Sequence, residues 1–253
     1  MAAEQSEKKP TSWLRFSSPR NFYPLAGKMI PWFMGLAIVL VLAGLYMTFF
    51  VVPPDYQQGN SYRIMYIHVP AAWMSMLIYL LMAFYAGLYF VLNVKLADMM
   101  AGSLAITGAI FTFIALWTGA MWGKPTWGTW WVWDARLTSE LLLLFLYLGY
   151  ISLRAAIDDP NRAAKASGLL ALVGVVNVPI IYFSVKWWNT LHQGASITTN
   201  KTSMATEMFI TLMIMVFAFW MYTIAVVLMR VRNEIIERER DTNWLVEELG
   251  KEK

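Results

Sequence analysis

The feature that most constrains this chain is a set of long apolar runs, at roughly 31–51, 70–92, 100–121, 137–154, 167–186 and 205–229. About 20 consecutive apolar residues span the hydrocarbon core of a bilayer. Backbone polar groups in lipid must be satisfied within the segment, so such runs fold as helices. The period-2 alternation of a membrane β-barrel is absent. Composition agrees: 58% of residues are hydrophobic and 14% charged, against about 45–50% and about 25% in soluble domains. The expected fold is therefore an all-α integral membrane protein with six transmembrane helices. A polar tail (1–30), a six-helix membrane domain (31–229) and a second tail (230–253) divide the chain. Residues 1–30 lack the short apolar core and small-residue cleavage site of a removable signal peptide. The second tail places Glu234 and Arg238 at i,i+4 and reads as a short solvated helix.

Basic residues orient membrane helices, because positive flanks stay cytoplasmic. Of the 20 lysines and arginines, only Arg63, Lys124, Arg136, Lys186 and Lys201 fall in or beside the loops 52–69, 122–136 and 187–204. Both termini are thus expected in the cytoplasm, and these three loops outside. This asymmetry accounts for the net charge of +4 without a nucleic-acid partner. The chain has no cysteine, which excludes disulfides, thiolate metal sites and thiol redox chemistry.

The unusual chemistry sits in those three loops. The only two histidines, His68 and His192, both fall at outer helix ends. His68 precedes Pro70 and is expected at the mouth of the second helix. His192 would share a face with Trp188 if its stretch is helical. The bland alternative is a pair of interfacial histidines bonded to backbone or water. Two ligands are too few for zinc, and neither HExxH nor a clustered Asp/Glu/His set is present. A porphyrin iron needs only axial ligands, since the ring supplies the other four.

Between the histidines lies "WGTWWVWD", residues 127–134. An aromatic belt would decorate both interfaces. Here Trp117, Trp122, Trp127, Trp130, Trp131, Trp133, Trp187 and Trp188 gather outside, while only Trp13, Trp32 and Trp244 lie clearly inside. The alternative is a binding platform, because indole faces stack on a flat π-system. Trp127, Trp130 and Trp133 recur three apart and would share a face if the loop were helical. Arg63 and Arg136, with Lys124 and Lys186, are candidate partners for propionates or braces for the loops. Asp134 is expected to pair with Arg136, cap the fourth helix near Leu137, or contact a partner. A bound haem would be non-covalent haem b, because no Cys-x-x-Cys-His is present.

"WGTWWVWDARLTSELLLLFLYLG", "PPDYQQGNSYRIMYIHVPAAW" and "WWNTLHQG" together resemble the haem exporter protein C (CcmC) family of cytochrome c maturation, whose tryptophan-rich loop is the WWD motif. The resemblance spans about residues 30–230 and covers all three outer loops in order. Larger WWD relatives carry more helices and histidines than this chain. The resemblance implies a six-span inner-membrane protein that binds haem at its outer, periplasmic face and passes it to a periplasmic haem chaperone, CcmE. It implies that His68 and His192 are the axial ligands, and that Trp122, Trp127, Trp130, Trp131, Trp133 and Asp134 belong to the haem platform and chaperone contact. Implied partners are the small membrane protein CcmD and the ABC transporter subunits CcmA and CcmB, besides membrane lipid.

The main expectation is a non-enzymatic haem-presenting protein. A permease carrying haem through its own bundle is the alternative. Against it, the run centres hold almost no ionisable residues, Glu140 lies near an outer end, and Asn177 with Pro179 is the only notable polar break, most simply a kink or an interhelical hydrogen bond. An electron-transfer subunit would hold its haem between helices, with histidines inside the spans. The 17 methionines sit mostly in the spans and are better read as core packing than as ligands.

Overall fold

The structure, a computed structural model, describes residues 13–192 and 204–251. The stretch 193–203, which holds most of the loop 187–204 expected on the outside and Lys201, lies outside the described residues. The helices are α1 (Pro19–Tyr46), α2 (Met65–Leu92), α3 (Lys95–Trp127), α4 (Ala135–Ala156), α5 (Pro160–Gly174), α6 (Asn177–Trp187), α7 (Thr206–Glu239) and α8 (Asn243–Lys251). Among the described residues, six helical spans are long and apolar enough to cross a membrane, with α5 and α6 together making the fifth. This is a multi-pass membrane protein. Its outer surface carries exposed Trp32, Val39, Leu42 and Phe50 on α1 and its wider last turn, as a lipid-facing helix should.

Several helices outrun the hydropathy signal. α1 begins at Pro19, inside the expected polar tail, because proline suits the first helical turn and Ser18 precedes it with extended geometry. α7 continues to Glu239, so Glu234 and Arg238 pair within a span helix rather than in a detached solvated one. The tail is also not simply solvated: on α8, Leu245 is fully buried and Trp244 meets Tyr23 edge-on at 6.4 Å. α3 runs through Pro125 to Trp127 and stops at Gly128, whose φ of +78° is the left-handed cap that glycine supplies. Helix thus takes the first part of the expected loop 122–136.

Small residues let the helices approach closely. α2 packs along α3, α1 along α7, and α4 beside α5. A Cβ at Gly108 of α3 would collide with the Tyr147 phenol of α4, and one at Gly174 of α5 with the Tyr79 hydroxyl of α2. Tyr79 and Tyr147 meet edge-on at 5.0 Å in the centre of this core. Asn177 joins α6 to α4 by donating to the Ser139 carbonyl at 2.9 Å, the bland interhelical role expected of it. At the bundle end away from the tryptophan-rich segment 127–134, Asp98 of α3 binds both Arg154 of α4 and Arg238 of α7, and Glu234 binds the same two guanidiniums. This network ties α3, α4 and α7 together at one end of the bundle.

Candidate functional site

At the opposite end of the bundle, α2, α3 and α4 surround a cleft of about 770 Å³, counting its open mouth. His68, Trp122, Trp127, Trp131, Arg136 and His192 line it. Among the described residues, no three His, Asp or Glu side chains converge as a metal-ion site.

His68 owes its pose to one stripe of α3. Pro70 does not open α2; the helix begins at Met65, after a tight turn over Ser61–Ile64, so His68 falls in its first turn. The His68 Nδ1 lies 3.0 Å from the Ala115 carbonyl oxygen and 3.1 Å from the Thr118 hydroxyl. A carbonyl only accepts, so Nδ1 carries the proton and donates to it. Nε2 is then the nitrogen with a lone pair, the tautomer that a metal-ligating histidine needs. Gly119 leaves room for the ring, and Trp122 meets it edge-on at 5.7 Å. Ala115, Thr118, Gly119 and Trp122 are spaced i, i+3, i+4 and i+7, one face of a helix.

His192 reaches the cleft by another route. α6 stops at Trp187, and Trp188 is extended (φ −131°, ψ 156°). Trp188 and His192 therefore do not share a helical face. The extended chain instead carries His192 to Trp127, edge-on at 6.3 Å. Trp187 stacks on Phe183 at 5.1 Å, and both Trp187 and Trp188 are exposed.

The segment 128–134 is not helical, so Trp127, Trp130 and Trp133 do not form one stripe. Thr129 organises it: its hydroxyl donates to the Trp131 carbonyl at 3.0 Å and accepts from the Trp131 N–H at 3.4 Å. Trp131 turns into the cleft and meets Trp133 edge-on at 5.4 Å. Trp130 and Trp133 are 57% and 77% exposed, so they point away from the cleft lining. Lys124 sits 6.0 Å from the Trp130 ring and bonds the Gly128 carbonyl. Asp134 caps α4, accepting from the Leu137 N–H at 2.8 Å.

The two arginines separate. Arg136 lines the cleft and donates to the Ile181 carbonyl at 2.9 Å, with no ion pair among the described residues. A guanidinium has five donors, so most remain for an anionic group. Arg63 is not in the cleft lining. It donates to the Val52 carbonyl at 3.2 Å and lies 5.8 Å from the Phe49 ring, bracing the first loop. The residues present suit a flat metal macrocycle: one correctly tautomerised imidazole, a second histidine on the same cleft, indole walls and a cation.

The family model described as "Heme exporter protein C" matches residues 12–246. The chain belongs to the heme exporter protein C family. It is 50% identical over 229 residues to heme exporter protein C of Escherichia coli (strain K12), covering 90% of this chain and 93% of that one. It is 48% identical over 235 residues to heme exporter protein C of Haemophilus influenzae, with 92% and 96% covered. The corresponding protein of Bradyrhizobium diazoefficiens is 45% identical over 223 residues, with 88% and 84% covered.

Three polar residues of this family member were not singled out as ligand contacts by sequence reasoning. Gln58 lines the cleft and accepts from the Trp122 indole N–H at 2.7 Å. Thr118 bonds His68. Glu140 lies one turn beyond Arg136, is buried, lines the cleft and accepts from the Ser75 hydroxyl at 2.7 Å. Glu140 stands out as a carboxylate within an apolar run, a signal available in the sequence. Gln58 carries no such signal; only the packing of the first loop against α3 reveals it.

Proposed function

We propose that this protein holds haem b non-covalently in the cleft, with His68 and His192 as axial ligands, and presents it to a periplasmic haem chaperone of the CcmE kind. The relatives are named for haem export, which supports haem handling in c-type cytochrome biogenesis as the setting. The observation that carries the reading is His68: its Nδ1–H is committed to the Ala115 carbonyl, leaving Nε2 for iron beside a cleft that also holds His192. Haem is cargo here rather than a reagent, and the protein is a presenter without catalytic groups. Both termini face the cytoplasm of a bacterial inner membrane, and the cleft opens to the periplasm. The basic residues of the tails and inner loops support that orientation. CcmD-like and CcmA/CcmB-like subunits are the proposed complex partners.

The tryptophans divide the labour. Trp122, Trp127 and Trp131 wall the cleft, while Arg136 is available to a propionate. Trp130 and Trp133 are exposed beside it, and exposed aromatics are typical anchors of an interface. Co-expression with the chaperone tests the division. A Trp130→Ala/Trp133→Ala variant is expected to keep its own haem and to load the chaperone poorly. Normal loading by that variant would reduce these two residues to interfacial anchors of the loop.

A further inference from the structure

The first outer turn is built around one side chain. Asp55 accepts from the Gln57 and Gln58 N–H groups at 2.9 and 2.8 Å, and Asp55 and Gly59 exchange backbone hydrogen bonds at 3.1 and 2.9 Å. Gly59 permits this closure with a φ of +58°. The base of the turn is fixed as well: Tyr62 donates to the Pro53 carbonyl at 2.9 Å, and Arg63 to Val52. The product of this rigid turn is a placed amide. Gln58 Oε1 accepts from Trp122 Nε1 at 2.7 Å, across 64 residues of sequence. Trp122 in turn stands edge-on to His68.

We propose that Gln58 is a positioning residue of the cleft: through Trp122 it fixes the plane of the His68 imidazole. This rests on the reading of His68 as a haem ligand. The His68 ring is held at Nδ1 by Ala115 and Thr118, but those contacts act near one edge and leave the ring free to tilt about them. Trp122 is the aromatic wall that limits the tilt, and an indole on the last turns of a helix has freedom of its own about its side-chain torsions. The Gln58 hydrogen bond removes that freedom. The covalent frame of Gln58 is the Asp55 turn, so the first outer loop, which holds no histidine from 52 to 60, acts on the iron site at second hand. Outer-shell contacts of this kind commonly alter metal affinity or activity by 10- to 100-fold, although the link here passes through a ring edge and is expected to be weaker.

The experiment compares Gln58→Leu, Gln58→Glu, Trp122→Phe and the Gln58→Leu/Trp122→Phe double variant. Glutamate keeps an acceptor oxygen; leucine and phenylalanine each break the same hydrogen bond. With haemin as the probe, Gln58→Leu and Trp122→Phe should each speed haem loss to an apo-globin acceptor about two- to tenfold, the range for one hydrogen bond. The double variant should lose haem no faster than Trp122→Phe alone, because Gln58→Leu removes a hydrogen bond that Trp122→Phe has already broken. The low-spin electron paramagnetic resonance g-values report the planes of the axial imidazoles, and should shift alike in the three bond-breaking proteins and stay put in Gln58→Glu. Additive rates, or unmoved g-values in Gln58→Leu, would overturn the proposal. The haem-free protein supplies an independent reading. Its Trp122 indole N–H resonance, assigned by its loss in Trp122→Phe, should move in Gln58→Leu. If wild-type protein binds no haemin while this resonance moves, the functional reading fails and the hydrogen bond stands; if haemin binds and the resonance is unmoved, the positioning role fails.

Discussion

Gly119→Ala separates stability from ligand geometry. Gly119 lies inside α3, where alanine stabilises a helix by up to about 1 kcal/mol over glycine. Its new Cβ would lie 3.0 Å from the His68 Cε1 and 3.5 Å from Nδ1. Ordinary contact begins near 3.4 Å, so the ring must retreat from α3 by about 0.4 Å. Ala115 and Thr118 are on the same helix, so the same retreat stretches the His68 bonds from 3.0 and 3.1 Å towards about 3.4 and 3.5 Å, beyond the usual range. Weakening one such bond costs about 1 kcal/mol, or about fivefold in the population of the correct pose. Gly119→Ala is therefore expected to unfold in detergent at the wild-type temperature or slightly higher, yet to release haem about fivefold faster, with altered g-values. Gly87→Ala is the control, since its Cβ meets only Leu172 Cδ2 at 3.6 Å. A Gly119→Ala protein with wild-type haem retention and wild-type g-values would refute the argument that this stripe of α3 aims His68.

Two further outcomes follow from the packing, and one from the topology. Asp134→Ala removes the cap of α4 and should lower stability by about 0.5–2 kcal/mol in thermal unfolding, with Asp134→Asn recovering most of it. Asp98→Ala leaves Arg154 and Arg238 sharing only Glu234; breaking a fully buried pair costs about 3–5 kcal/mol, and with the two arginines and Glu234 only partly buried the loss here is expected to be smaller, read as a fall in melting temperature and membrane yield. A reporter fused after Gly128 should register on the periplasmic side, and a cytoplasmic signal there would reverse the proposed orientation.

The spans were readable because a bilayer imposes a length on apolar runs, and that length survives any detail of packing. Their ends were not. Hydropathy is blind to helix that continues through polar residues, as α1 does from Pro19 and α7 does to Glu239. It also cannot tell that Pro125 lies within the last turns of α3 rather than ending it. The candidate cleft was legible where residue type alone draws the eye: the two histidines, Trp122, Trp127, Trp131 and Arg136 all line it. What failed was face assignment within 127–134. A spacing of three means a shared face only on a helix, and the left-handed Gly128 ends the helix before Trp130. The structure consequently turns Trp131 inward and Trp130 and Trp133 outward. Arg63 takes the bracing one of its two expected roles, while Gln58, a neutral amide that charge does not mark, reaches the cleft.

The absorption spectrum of the purified protein, oxidised and reduced, tests the central claim most directly. Wild-type protein is expected to show a low-spin, bis-histidine b-type spectrum. His68→Ala and His192→Ala should each convert it to a high-spin or depleted form, with added imidazole restoring the low-spin bands. Unchanged low-spin spectra in both variants would remove His68 and His192 as the ligands and, with them, the cleft as the haem site.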